Sequence, residues 1–203
     1  MKAKRPNSSR SNHKRFTKEL LNIGYLKNKK DEQQRLQNLG MVKDTSLSQK
    51  KDKVYVDKNG KAHVVYKGTD PTDIRDLGTD AAILVGLGRF TPRFRNAKKL
   101  AKRVKEKYGK ENTVAYGHSL GGSLATESDL NERVTYNKGV GIGGIGKQMR
   151  RGQIDYRNDG DVLSVLSKFS KYKNKKREDG GVVNERVTSS GNPLVSHSLD
   201  TLQ

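Results

Sequence analysis

The residues best suited to do chemistry lie in Gly117-His118-Ser119-Leu120-Gly121, a Gly-x-Ser-x-Gly pentapeptide followed by a second glycine, Gly122. A serine at the tip of a sharp strand-to-helix turn stands clear of the backbone and can attack an electrophilic carbon. Glycines two before and two after it are needed because a side chain at either position would meet the neighbouring strand or helix. Ser119 is therefore the candidate covalent nucleophile. Its flanks fit that turn. Residues 113–116 are β-branched, small and aromatic, as in a buried strand, and Leu120 and Leu124 then stand at helical spacing.

A serine hydroxyl needs a base to take its proton, which means a histidine oriented by a carboxylate. The chain has 4 histidines. His13 lies in a basic N-terminal stretch, His63 sits inside an expected strand, and His118 adjoins the serine with its side chain directed the other way. That leaves His197, on a loop entering a short apolar segment. If the order is serine, acid, histidine, the acid falls between them. Asp159 and Asp161 both qualify, at the end of a strand-like segment over residues 153–156. Asp161 is preferred, because Val162 and Leu163 behind it would anchor it, whereas Asp159-Gly160 reads as an ordinary turn.

An oxyanion developing on the substrate needs two donors. One is the backbone N–H of Leu120, immediately after the nucleophile. The other must come from an earlier loop. Upstream, Lys53-Val54-Tyr55-Val56 and Ala62-His63-Val64-Val65-Tyr66 flank Asn59-Gly60, a hairpin signal, and the second strand runs into Lys67-Gly68-Thr69-Asp70. A glycine followed by threonine there can bring a backbone N–H and a hydroxyl toward the serine.

These segments together resemble the class 3 (fungal-type, triacylglycerol) lipases of the α/β-hydrolase superfamily, over about residues 50–200. Val64-Val65-Tyr66-Lys67-Gly68-Thr69-Asp70 is similar to that family's strand ending in Arg-Gly-Thr or Arg-Gly-Ser, Asp73-Ile74-Arg75-Asp76-Leu77 to the segment opening its lid, and Gly117-His118-Ser119-Leu120-Gly121-Gly122 to its elbow. The resemblance implies a mainly parallel α/β-hydrolase-like sheet flanked by helices, with Thr69 supplying the second oxyanion donor. It also implies Asp161 and His197 as acid and base, and a lipid or other carboxylic ester as substrate, with no metal or organic cofactor. The chain departs from the pattern in Lys67, which replaces arginine, and in having 0 Trp. A lid would run from Asp70 to about Phe90 through the apolar residues 81–87.

Composition sets the frame. Of 203 residues, 42 are Lys or Arg and 22 Asp or Glu, a formal charge of +20, and only 31% are hydrophobic. Residues 1–18 carry Lys2, Lys4, Arg5, Arg10, Lys14, Arg15 and Lys18 without an acid, which reads as a disordered basic arm. Residues 19–50 read as a helical N-terminal extension packing on the core, the helical signal running from Phe16 to Leu39, and residues 51–203 as one compact hydrolase-like domain. The arm lacks the apolar stretch of a secretory signal and no transmembrane span is read. The expectation is therefore a cytoplasmic, nuclear or virion-associated protein rather than a classically secreted one. With 0 Cys, disulfides and cysteine-rich metal sites are excluded.

Charge also clusters within the domain. Arg89, Arg93, Arg95, Lys98, Lys99, Lys102, Arg103, Lys105, Lys107 and Lys110 face Glu106 alone, and residues 168–177 form a second basic block. Such an excess goes beyond what solubility requires and implies an anionic partner. One candidate is an anionic membrane surface. The other is nucleic acid, held through the basic arm by a scaffold or virion-packaged protein on a hydrolase fold. Gly141-Ile142-Gly143-Gly144-Ile145-Gly146 matches a dinucleotide fingerprint, but the short segment after it offers no long helix to hold a pyrophosphate.

Overall fold

A computed structural model describes residues 7–68, 92–139, 152–158 and 183–187. In chain order these form α1 (Asn7–Tyr25), α2 (Lys29–Asn38), β1 (Met41–Lys43), β2 (Asp52–Asp57), β3 (Ala62–Tyr66) and α3 (Pro92–Tyr108). A 3-10 turn (Lys110–Asn112), β4 (Thr113–His118), α4 (Leu120–Glu127), β5 (Glu132–Tyr136), β6 (Gln153–Asn158) and β7 (Val183–Val187) follow.

All 7 strands form one sheet in the order β1-β2-β3-β4-β5-β6-β7. β1, β2 and β3 pair antiparallel, and β3 to β7 pair parallel. The β2–β3 hairpin turns where Asn59-Gly60 predicts it. Gly60 has φ 78°, and the Asp57 carboxylate accepts from the N–H groups of Asn59 (2.8 Å) and Lys61 (3.0 Å). Because β3 to β7 run the same way, their C-terminal ends share one edge, and loops at that edge can converge on a ligand.

Strand alternation divides the core between two faces. On one, Val65, Tyr116, Val134 and Ile154 stand in register across four strands, and Leu20, Leu21, Ile23 and Leu36 of α1 and α2 pack against that face. On the other, Val54, Val64, Tyr66 and Ala115 meet Phe94, Ala97, Leu100, Ala101 and Val104 of α3 and Leu124 and Ala125 of α4. The result is a single α/β domain with helices on both sides of a mixed, mainly parallel sheet.

The N-terminal organisation differs from the sequence reading. Residues 7–18 belong to α1 rather than to a disordered arm. Phe16, Leu20, Leu21 and Ile23 give the helix an apolar stripe, and full burial of each of the last three contributes about 1.5–3 kcal/mol, enough to order a segment rich in basic residues. Residues 19–50 are likewise not a purely helical extension. β1 lies within them and pairs with β2, so the sheet begins before residue 51. The proposed lid over residues 70–90, the glycine-rich segment 141–146 and the basic block 168–177 lie outside the described residues.

Candidate active site

Ser119 joins β4 to α4 with φ 55° and ψ −127°. A non-glycine residue held at positive φ costs on the order of 1–3 kcal/mol and persists only where its surroundings fix it. Here they do so from both sides. The Ser119 N–H donates to the Tyr136 carbonyl (3.2 Å), and the Ser119 carbonyl accepts from Gly122 N–H (3.0 Å) and Gly139 N–H (3.1 Å). The turn is thereby pinned to the end of β5.

The glycines around it are required by contact. A Cβ on Gly117 would stand 2.1 Å from the Gly121 carbonyl oxygen, and one on Gly121 would stand 2.0 Å from that of Tyr66. A Cβ on Gly122 would meet the Lys138 Cβ at 2.5 Å. The first two let α4 leave the strand at a sharp angle and lie against β3, and the third lets it pass the loop after β5. Leu120 opens α4, so its N–H is among the first four that a helix leaves without an intrahelical partner.

The end of β3 abuts the same point. A Cβ on Gly68 would stand 2.7 Å from the His118 carbonyl oxygen and 3.3 Å from the Ser119 Cβ. Gly68 is held from α1, its N–H donating to the Tyr25 hydroxyl at 2.8 Å. Lys67 is held from α3, its carbonyl accepting from the Arg93 guanidinium at 2.9 Å while Arg93 also grips the buried Asp52 carboxylate. Thr69, the next residue, lies outside the described residues.

The ends of β5 and β6 are tied together beside the turn. Asn137 (φ 41°) donates its N–H to the Tyr156 carbonyl (3.0 Å), and its side-chain oxygen accepts from Asn158 N–H (2.8 Å). Below them lies a buried charged group that sequence reasoning missed. Asp155 is fully buried, bonded by Thr135 Oγ1 (2.6 Å) and Gln153 Nε2 (3.0 Å), and ion-paired with Lys138 and, at 3.7 Å, Arg157. Burial alone would push its carboxyl up, but the Lys138 and Arg157 cations hold it below the usual range. Only the strand register could have shown that Thr135, Gln153 and Asp155 meet.

Three of the histidines are described, and each is engaged elsewhere. His13 Nδ1 lies 2.6 Å from the Tyr156 hydroxyl. His63 is buried, stacked on Tyr116, with Nε2 3.2 Å from Asp57 Oδ2. His118 is buried and stacks on Tyr136, with ring centroids 5.6 Å apart. His197, Asp159 and Asp161 lie outside the described residues, although β6 ends at Asn158, one residue before Asp159 and three before Asp161. Among the described residues, no group of three or more His, Cys, Asp or Glu is arranged to hold a metal. No helix among them is long and apolar enough to cross a membrane.

Fold and site together define a class: a single-domain α/β protein with a serine fixed at a strained strand-to-helix turn on the C-terminal edge of its parallel strands. The chain belongs to the phospholipase-like family of Tle-like phospholipase domains, whose model matches residues 13–139. This places it among lipase- or phospholipase-type, lipid-hydrolysing enzymes. The match names a phospholipase-like family rather than the fungal-type class 3 lipases. It takes in α1 from His13 onward, Gly68 and Ser119, and ends at Gly139, before Asp161 and His197. No curated protein matches the chain.

Proposed function

We propose that the protein is a serine hydrolase of the α/β-hydrolase type that cleaves acyl esters of phospholipids or other lipids. The observation that carries this reading is Ser119 held at φ 55° between β4 and α4, with the end of β3 packed against it. A catalytic serine needs that arrangement, and a structural serine has no use for its cost.

In this reading Ser119 Oγ attacks the ester carbonyl while His197 takes its proton. The tetrahedral oxyanion is held by the N–H groups of Leu120 and Thr69. Its collapse breaks the bond to the alcohol, which leaves with the proton returned by His197. Water, deprotonated by the same imidazole, then releases the fatty acid from the acyl-serine. Asp161, or Asp159 in its place, orients the imidazole. Elimination supports His197, since the three described histidines are each engaged elsewhere.

The +20 charge favours a second reading, an anionic-polymer or nucleic-acid-binding protein with little activity on the same fold. A fluorophosphonate probe separates the two. It should label the wild type at Ser119, Ser119→Ala and His197→Ala should not label, and Asp161→Asn should slow labelling by about 10⁴-fold while Asp159→Asn leaves it near the wild-type rate. Nucleic-acid binding retained by Ser119→Ala, with no labelling of the wild type, would establish the second reading instead.

A further inference from the structure

We infer that Tyr25, the last residue of α1, is a positioning residue for Gly68, which packs against Ser119 and directly precedes the proposed donor Thr69 in the chain, so that the N-terminal helix forms part of the catalytic unit. This rests on the proposed roles of Ser119 and Thr69.

The last pair in the β3–β4 ladder is Tyr66 with Gly117. Gly68 lies beyond the ladder, where its N–H has no strand partner, and the Tyr25 hydroxyl accepts from it at 2.8 Å across 43 residues of sequence. The position a Cβ would take on Gly68 lies 3.1 Å from the Tyr25 hydroxyl and 3.3 Å from the Ser119 Cβ. The bond thus fixes the Lys67–Gly68 peptide, which brings Gly68 directly against the nucleophile.

Other contacts set the phenol itself. Leu20, Leu21 and Ile23 seat α1 in the core. Gly24 lets its last turn approach β3 so closely that a Cβ there would stand 2.5 Å from Val65 Cγ1. The Lys67 ammonium lies 5.0 Å from the centre of the Tyr25 ring, and the Lys67 carbonyl is bonded by Arg93. Residues 67 and 68 are therefore held from α1 on one side of the sheet and α3 on the other.

An oxyanion donor acts only where it is preorganised, and a displacement of 1 Å can cost about 10²-fold in rate. Tyr25→Phe keeps the ring and its packing and removes only the hydroxyl. Thr17→Val is the control, since it removes another fully buried hydroxyl from the same helix, one with no hydrogen-bond partner among the described residues. The full-length protein is compared in fluorophosphonate labelling of Ser119, and in kcat and KM on a soluble ester, with rates taken per folded molecule from circular dichroism. Tyr25→Phe should slow labelling and lower kcat together by about tenfold or more with KM unchanged, whereas Thr17→Val should match the wild type. Wild-type labelling by Tyr25→Phe, or an equal slowing in both variants, overturns the inference while Ser119 keeps its role. Absence of labelling in the wild type overturns the underlying reading and this inference with it.

Discussion

Ser119 adopts a conformation that most residues avoid, and its neighbours show how it is imposed. Gly117, Gly121 and Gly122 each leave room where a single methylene would collide. Gly121→Ala should therefore destabilise the protein by about 3 kcal/mol or more, because its Cβ would lie 2.0 Å from a backbone oxygen that cannot swing aside. Gly60→Ala, at φ 78° but with nothing within 4 Å, should lose only about 1–2 kcal/mol from the left-handed backbone. Chemical denaturation of the two variants checks the contrast, and equal losses would show that the elbow is less crowded than its geometry indicates. This part of the site was legible in the sequence because the elbow is local: five consecutive residues state both the turn and the reason for its glycines. Asn137 was not legible, since its role depends on Asn158, which is 21 residues away in the chain and adjacent only through the sheet.

At the scale of elements, the hairpin and the parallel strands β4 and β6 were readable from the sequence, the hairpin above all from Asn59-Gly60. β3 spans the residues read for it, and β2, β4 and β6 run one or two residues further. The helix α1 was misjudged because the count of basic residues in 1–18 outweighed the spacing of Phe16, Leu20 and Leu21. Charges on one face do not prevent a helix from burying the other. The opposite case is β6, where Gln153, Asp155 and Arg157 are polar yet buried. That strand is anchored by charge: Asp155 is the carboxylate that Lys138 and Arg157 share. Asp155→Asn keeps the shape and leaves those cations buried without their counter-charge. The expected loss is about 3–5 kcal/mol, or roughly 10 °C in melting temperature for a domain of this size. A melting temperature within a degree or two of the wild type would show that the cations are neutralised by other groups.

Over the whole molecule, the sheet brings four separate chain segments to one edge: Gly68 after β3, Ser119 after β4, Gly139 after β5 and Asn158 at the end of β6. Helices on both faces hold that edge, α1 through Tyr25 and α3 through Arg93. The sequence foresaw an α/β sheet with a strand-to-helix turn at Ser119 and an N-terminal extension packing on the core, but set residues 1–18 apart as an arm, whereas α1 begins at Asn7 and the family match at residue 13. In the proposed reading, the formal charge of +20 draws this body to anionic bilayers, each basic residue near the surface adding about 1 kcal/mol, and so delivers the ester to Ser119. The most direct measurement is fatty-acid release from vesicles of phosphatidylcholine and phosphatidylglycerol by the wild type and by Ser119→Ala at equal concentration. The account predicts steady release by the wild type and none above background by the variant. No release by the wild type, or equal release by both, would contradict it.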